Sequence, residues 1–452
     1  MAPFDGELGG EAAPAANTAA PDAAQDLTAA AVEAIPPEIV AQTLDQYLRG
    51  WVARVRGGDA GVLPVILALA IITVVFQIVS PHNVFLSAGN LVNLFIQSSV
   101  FIVLAMAEGF ALLLGEIDLS IGYVAAVGGI VAADLVQDPG PNWPWWAAIA
   151  AALAACALIG AIQGTIITRL RLPSFVVTLA GYLLWFGVMI VILGPAGGVS
   201  ISSPLLYNQH ILFELVQGTI DPLAGWVGLA IVVGVLGTVL WLRDSGRRRS
   251  GLVAPPASLT AIRIGFLAVV GIVVVAISNI NRGVVLPIEG VPWVVPIVIA
   301  VLLAWTVLLE WTPFGRYVYA VGGNPEAARR AGISLVAIRT WGFVLCSFTA
   351  GIAGLLYASW QGGMNTNING GQLVLYAVAA AVIGGTSLFG GRGRMIHGVL
   401  GGLVIGAIYN GLYLLGFPVQ WQLIATGLVL LAAVIVDSLS RRGAGAGSLA
   451  RA

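Results

Sequence analysis

Lysine is absent: all 20 basic residues among the 452 are arginine. A P-loop NTPase needs the lysine of G-x-x-x-x-G-K-[ST] to reach the nucleotide phosphates, so this chain does not hydrolyse ATP through such a loop. Charge of either sign is scarce, at 9% of residues against roughly 25% in soluble domains. That is too little to coat a water-facing globule of this size. The three histidines, His82, His210 and His397, are isolated and lack metal-ligand spacing. No His/Asp/Glu cluster supports an enzyme, so no catalytic residue, metal or cofactor is expected. Cys156 and Cys346 lie far apart in apolar runs, either as two small buried residues or as a disulfide. A net charge of −1 gives no reason to expect nucleic acid.

What is present is apolar. Hydrophobic residues make up 59% of the chain, and the mean hydropathy is +0.96. In lipid, backbone groups must be paired internally, which leaves a helix bundle or a closed barrel. Barrel strands alternate apolar and polar over about 10 residues. The apolar runs here are continuous and about 20 residues long, the length a helix needs to cross the hydrocarbon. The expected fold is therefore an all-α, polytopic membrane helix bundle.

About twelve spans are predicted: 60–80, 91–114, 118–136, 145–168, 174–194, 224–242, 261–280, 292–311, 339–360, 373–390, 396–415 and 419–437. With the N-terminus inside, 19 of the 20 arginines fall in cytoplasmic segments and only Arg282 falls outside. Both termini are expected to be cytoplasmic. Residues 1–35, rich in Ala, Pro and acids, read as a disordered cytoplasmic tail without a signal peptide. Residues 36–58 read as an amphipathic helix, lying in the membrane surface or else free in the cytoplasm. Residues 59–440 form the transmembrane domain, with a long cytoplasmic loop at 312–338, and 441–452 form a second cytoplasmic tail.

In that loop Asn324 can cap a helix, Pro325 suits its first position, and Glu326 meets its positive end. Gly332 can close it in the left-handed conformation. The prediction is a rigid capped knob of about two turns on the inside face. Two glycine-rich segments stand out besides: Gly115-Glu-Ile-Asp-Leu-Ser-Ile-Gly122, and Ile383-Gly-Gly-Thr-Ser-Leu-Phe-Gly-Gly391. Gly115/Gly384, Asp118/Ser387, Leu119/Leu388 and Gly122/Gly391 fall at one constant offset, a hint of two related halves. Asp118 and Ser120 either cap the third span or act at membrane depth, where an ionisable residue is a functional candidate by default. Glu108, in mid-span, is the most buried acid by this topology and is expected to face the bundle interior.

These segments resemble a known family, the permeases of ABC importers for monosaccharides. The Glu326-Ala327-Ala328…Gly332 pattern resembles their coupling loop, and the two glycine-rich segments resemble their G-x-I-D-L-S-x-G and I-G-G-T-S-L-x-G-G signatures. Leu172-Pro-Ser-Phe-Val-Val-Thr-Leu179 is similar to their L-P-[PS]-F-I-V-T-L. The long middle segment 195–290 is most similar to the xylose-type branch. The chain departs at Val374-Leu375-Tyr376, where such permeases usually carry the acids of E-L-D.

The resemblance implies a permease subunit in a bacterial cytoplasmic membrane, carrying a xylose-like pentose. It implies an ABC ATPase docked on Asn324, Pro325, Glu326, Ala327, Ala328, Arg329 and Gly332, an extracytoplasmic sugar-binding protein, and a second permease subunit in a homodimer. Glu108, Asp118, Ser120, Thr386 and Ser387 are the pathway candidates. The amide-rich loop 365–370 either meets the binding protein or is a plain turn. An ion-coupled secondary transporter of small polar solutes is the alternative from another class.

Overall fold

The computed structural model describes residues 43–56, 61–283, 286–428 and 431. The expected tails, 1–35 and 441–452, lie outside the described residues, as do 36–42 of the amphipathic stretch. The chain divides into two compact units, one of residues 1–57 with 234–266, the other of residues 58–233 with 267–452.

In the first unit, α1 (Leu44–Arg56) carries Leu48 and Val52 exposed on its apolar stripe. An Arg49–Asp45 pair at 2.5 Å braces its polar side; it is exposed and contributes little. The unit also holds the end of α8 (Pro222–Arg249) and the start of α9 (Ala257–Ser278). The Thr260 hydroxyl donates to Asp244 Oδ2 at 2.8 Å, and Arg248 Nη1 donates to the Pro255 carbonyl at 2.8 Å. These two bonds pin the 250–256 turn.

The second unit contains the remaining helices. They are α2 (Leu63–Val79), α3 (Ala88–Leu113), α4 (Ile121–Leu135), α5 (Trp145–Arg169), α6 (Ser174–Leu193) and α7 (Tyr207–Gln217). After the middle segment come α10 (Val294–Trp311), α11 (Pro313–Gly323), α12 (Pro325–Arg330), α13 (Leu335–Gln361), α14 (Gly370–Gly384) and α15 (Met395–Leu414). Residues 419–428 begin a final helix, α16. Eleven of the twelve expected apolar runs fall on helices, and the twelfth, 419–437, is helical at 419–428 and 431 and otherwise lies outside the described residues. Among the described residues, eight helices are long and apolar enough to cross a membrane, while α2, α4 and α14 are apolar but shorter.

The centre of this unit is α3. From Val100 to Leu114 no side chain is more than 3% exposed. Helix α13 packs on α3, α4 and α5, and α15 packs on α3 and α14. Without a hydrophobic drive between helices in lipid, close packing needs small residues at the contacts. A Cβ on Gly354 of α13 would stand 1.8 Å from the Ala125 carbonyl of α4, and one on Gly401 of α15 would stand 1.7 Å from that of Ala380. Both positions therefore admit only glycine.

Three features depart from the all-α expectation or refine it. Two short antiparallel pairs form in loops assigned outside: β1 (Gly198–Ser200) with β4 (Gly363–Asn365), and β2 (Thr219–Ile220) with β3 (Val291–Pro292). Helix α7 lies within what the sequence suggests is a plain loop, and α11 precedes the expected knob. Arg282 donates to the Ser278 carbonyl and to that of Gly290 at 3.1 Å, so it clasps its own hairpin.

At 15 residues each, α4 and α14 are about 22 Å long, short of the ~30 Å hydrocarbon core. Both are joined to their neighbours by the glycine-rich signature turns. Non-helical backbone at membrane depth is tolerated only where protein buries it. In these turns Asp118, Ser120, Thr386 and Ser387 are buried, while Gly115, Gly385 and Phe389 are exposed.

Candidate functional site

The knob forms from local capping. Asn324 Oδ1 accepts from the Ala327 N–H at 3.0 Å, Pro325 takes the first helical position, and Ala328 is the buried side chain of α12. Glu326 accepts from Arg329 Nε at 3.0 Å and from Arg330 Nε at 3.1 Å. Those hydrogen bonds hold its carboxyl below the ordinary carboxylate range. Gly332, at φ +81°, lets the Ile333 N–H return to the Ala328 carbonyl at 3.0 Å. The knob has six helical residues, close to the two turns expected, and a separate helix, α11, started by Thr312 and Pro313, lies ahead of it.

Immediately before the knob, Gly322 and Gly323 meet both signature turns. The Gly391 N–H donates to the Leu113 carbonyl at 2.9 Å. A Cβ on Gly322 would lie 1.8 Å from that same carbonyl, and one on Gly390 would lie 2.6 Å from the Gly322 carbonyl and 2.8 Å from the Gly115 nitrogen. Gly115, Gly390 and Gly391 all have positive φ, so the contact is made by backbone alone. Polar side chains fasten its rim. The Tyr319 hydroxyl donates to the Gly393 carbonyl at 2.9 Å, Arg394 pairs with Glu310 at 2.9 Å, and Arg339 approaches Glu116 at 3.5 Å.

Deeper in the unit lies a polar network. Asp118 Oδ1 accepts from the Ser120 N–H at 2.9 Å and from its hydroxyl at 2.6 Å. Gln163 Nε2 of α5 donates to Ser120 Oγ at 3.0 Å, and Cys346 Sγ of α13 lies 3.7 Å from Asp118 Oδ2. The Asp118 N–H donates to Glu108 Oε1 at 3.2 Å. Glu108 Oε2 is buried without a partner among the described residues. Glu108, Asp118 and Ser120 are each 0% exposed, so none faces open space in this arrangement. Both cysteines are buried and unpaired.

Of the five pathway candidates, the structure joins these three and places Thr386 and Ser387 elsewhere, in the second signature turn. The Thr386 N–H donates to the Ala381 carbonyl at 2.9 Å, and Ser387 Oγ accepts from the Phe389 N–H at 3.0 Å. Asp118 and Ser387 thus make the same bond, to the N–H two residues on, at the positions paired by the constant offset. The amide-rich loop is ordered by its own side chains. Asn365 Oδ1 accepts from the Asn367 N–H at 2.9 Å, and Asn369 caps α14 through the Gln372 N–H at 3.0 Å. The sequence reading missed Gln163, Cys346 and the Gly322–Gly323 pair. A lone amide in mid-span was the available signal for Gln163.

The family described as "Branched-chain amino acid transport system / permease component" matches residues 90–434, a stretch that takes in both signature turns and the knob. The chain belongs to this family. The permease is similar to the xylose transport system permease protein XylH of Escherichia coli strain K12, 32% identical over 378 residues, 84% of this chain and 92% of the relative. XylH of Haemophilus influenzae is 32% identical over 379 residues, 83% of this chain and 96% of its own. The ribose import permease protein RbsC of E. coli strain K12 is 30% identical over 373 residues, 82% of this chain and 92% of its own. No solved structure matches this chain. The permease is a polytopic helical membrane protein, and the segments that resemble the family's signatures form the glycine-rich turns described above.

Proposed function

We propose that this chain is the membrane-spanning subunit of an ATP-driven importer for a monosaccharide, a xylose-like pentose before other sugars. The relatives named for xylose and ribose support the cargo. The observation that carries the coupling is the seating of α12 directly against Gly322–Gly323, and through them against both signature turns. A separate ATPase docks on 322–333, where Glu326, Ala327, Arg329 and Arg330 are outward and Ala328 inward. Closing of two ATPases on a pair of permease subunits shifts α12, and the contact at Leu113 and Gly391 passes that shift to α3 and α15. An extracytoplasmic binding protein delivers the sugar from the other side.

In this reading the chain crosses a bacterial cytoplasmic membrane about twelve times with both termini inside, and α1 lies in the membrane surface. Glu108, Asp118 and Ser120 line the pathway only after the buried network opens, with Thr386 and Ser387 acting through the second turn. The ion-coupled alternative would draw on Glu108 and Asp118. Ion-coupled carriers line the path with ionisable relays, whereas here, among the described residues, the hydrogen bonds join Asp118 to a single further acid, Glu108, and otherwise to Ser120, Gln163 and Cys346.

The test is co-purification with the cognate ATPase together with sugar uptake, for the parent chain and for Glu326→Arg and Gly332→Pro. Both substitutions are expected to abolish docking and uptake. If both remain intact in either variant, α12 is not the coupling element.

A further inference from the structure

One end of the second unit holds a group of aromatic rings that the coupling contacts do not use. By the proposed topology it is the outer end. Tyr357 and Trp360, near the end of α13, meet edge-on with ring centres 5.8 Å apart. Trp360 meets Tyr409 of α15 at 6.1 Å, and Tyr409 meets Tyr376 of α14 at 6.4 Å. Phe101 of α3 closes the inner side, edge-on to Tyr376 at 5.1 Å and to Tyr409 at 5.6 Å. Four helices therefore send rings to one place.

The polar atoms around these rings are all neutral. Gln372 Nε2 donates to the Tyr376 hydroxyl at 2.5 Å, and Gln361 Nε2 to the Tyr357 hydroxyl at 3.4 Å. The Tyr409 hydroxyl and the Trp360 indole N–H have no hydrogen-bond partner among the described residues, and both side chains are only half-buried.

This composition selects a ligand class. Binding sites for small molecules combine apolar and aromatic walls with a few placed polar groups, and Tyr and Trp supply both a ring face and a polar tip. A monosaccharide offers the complement, a patch of C–H on its ring face and hydroxyls at its rim. An amino acid is a zwitterion, and taking its two charges into this place would leave both without an opposite charge.

Resting on the proposed function, we propose that Tyr357, Trp360, Tyr376 and Tyr409, with Gln361 and Gln372, form a holding site for a neutral monosaccharide at the outer end of its path. The C–H face stacks on the rings of Trp360 and Tyr409. The rim hydroxyls take the Trp360 N–H, the Tyr409 hydroxyl and the two amides.

The experiment uses the permease reconstituted in liposomes with its ATPase and binding protein, with radiolabelled D-xylose as probe. Tyr409→Phe and Trp360→Phe keep a ring for packing and remove the polar tip. Each is expected to lower uptake about tenfold, the equivalent of about 1.4 kcal/mol, with the ATPase still co-purifying. Parent-level uptake in either variant overturns the site and leaves the rings as packing. Loss of ATPase co-purification along with uptake in both variants overturns it as well, by marking a folding or docking role. A parent that takes up neither xylose nor ribose overturns the proposed function itself, and this ligand with it.

Discussion

Leu113 and Gly391 are joined backbone to backbone, the Gly391 N–H donating to the Leu113 carbonyl at 2.9 Å across 278 positions of sequence. The bond ties the end of α3, the most buried helix, to the loop that leads into α15. Beneath it sits Gly322, which has no room for a side chain.

Gly322→Ala tests that contact. Its added methyl must displace the Leu113 carbonyl, and overpacking of this kind costs about 1–3 kcal/mol. The expected outcome is a lower thermal unfolding midpoint in detergent and ATP hydrolysis uncoupled from sugar uptake. Gly323→Ala is the control, because nothing lies within 4 Å of a Cβ there.

Asp118→Asn is expected to leave the protein in the membrane and impair uptake. The amide keeps one oxygen for Ser120 but removes the carboxylate facing Cys346. Transport at the parent rate would rule out a functional Asp118. Ser120→Ala separates structure from function at the same point: it strips Gln163 Nε2 of its acceptor, at a cost of about 1–3 kcal/mol, read as a shift in unfolding midpoint.

The cap of α12 is open to a milder change. Asn324→Ala removes the acceptor for the Ala327 N–H and should weaken the knob by about 0.5–2 kcal/mol, seen as weaker ATPase docking with unchanged membrane insertion. The pH dependence has a definite sign. Hydrogen bonds from Arg329 and Arg330 depress the Glu326 carboxyl, so its contribution is present above the ordinary carboxylate range and is lost as pH falls through the depressed value. Docking should therefore be the same at pH 7 and at about pH 5.

The topology is tested by a cysteine at Gly246, near the arginine-rich end of α8. Cys156 and Cys346 are buried, so they give little background. A membrane-impermeant thiol reagent should fail to label Gly246→Cys in intact cells and should label it after lysis. Labelling in intact cells would reverse the assigned orientation.

Much of this was legible in the sequence because it depends on neighbours along the chain. The Asn324–Pro325–Glu326 cap and the left-handed Gly332 are local devices, and residue types at fixed spacing announce them. The apolar runs announce the long helices in the same way. What could not be read is what distant segments do together. Gln163 reaches Ser120 across 43 residues and Cys346 reaches Asp118 across 228, and no periodicity encodes either contact. Helix α7 was hidden in a loop because its composition is mixed, and β1 was hidden because three residues show no alternation. The Gly322 contact was hidden for another reason: glycine marks a close approach without naming what approaches.

The charges of α12 have a consequence for how a partner arrives. Glu326 is already bonded to both Arg329 and Arg330, so two of the three charges largely cancel within one turn and a half of helix. A surface compensated in this way projects only a weak field into the surrounding solution. Long-range attraction, which speeds encounters between oppositely charged surfaces and fades as ionic strength rises, has little to act on here. The knob itself would add little to steering, and the salt dependence of assembly would come from the other exposed arginines assigned to the same side, Arg316 and Arg392 among them.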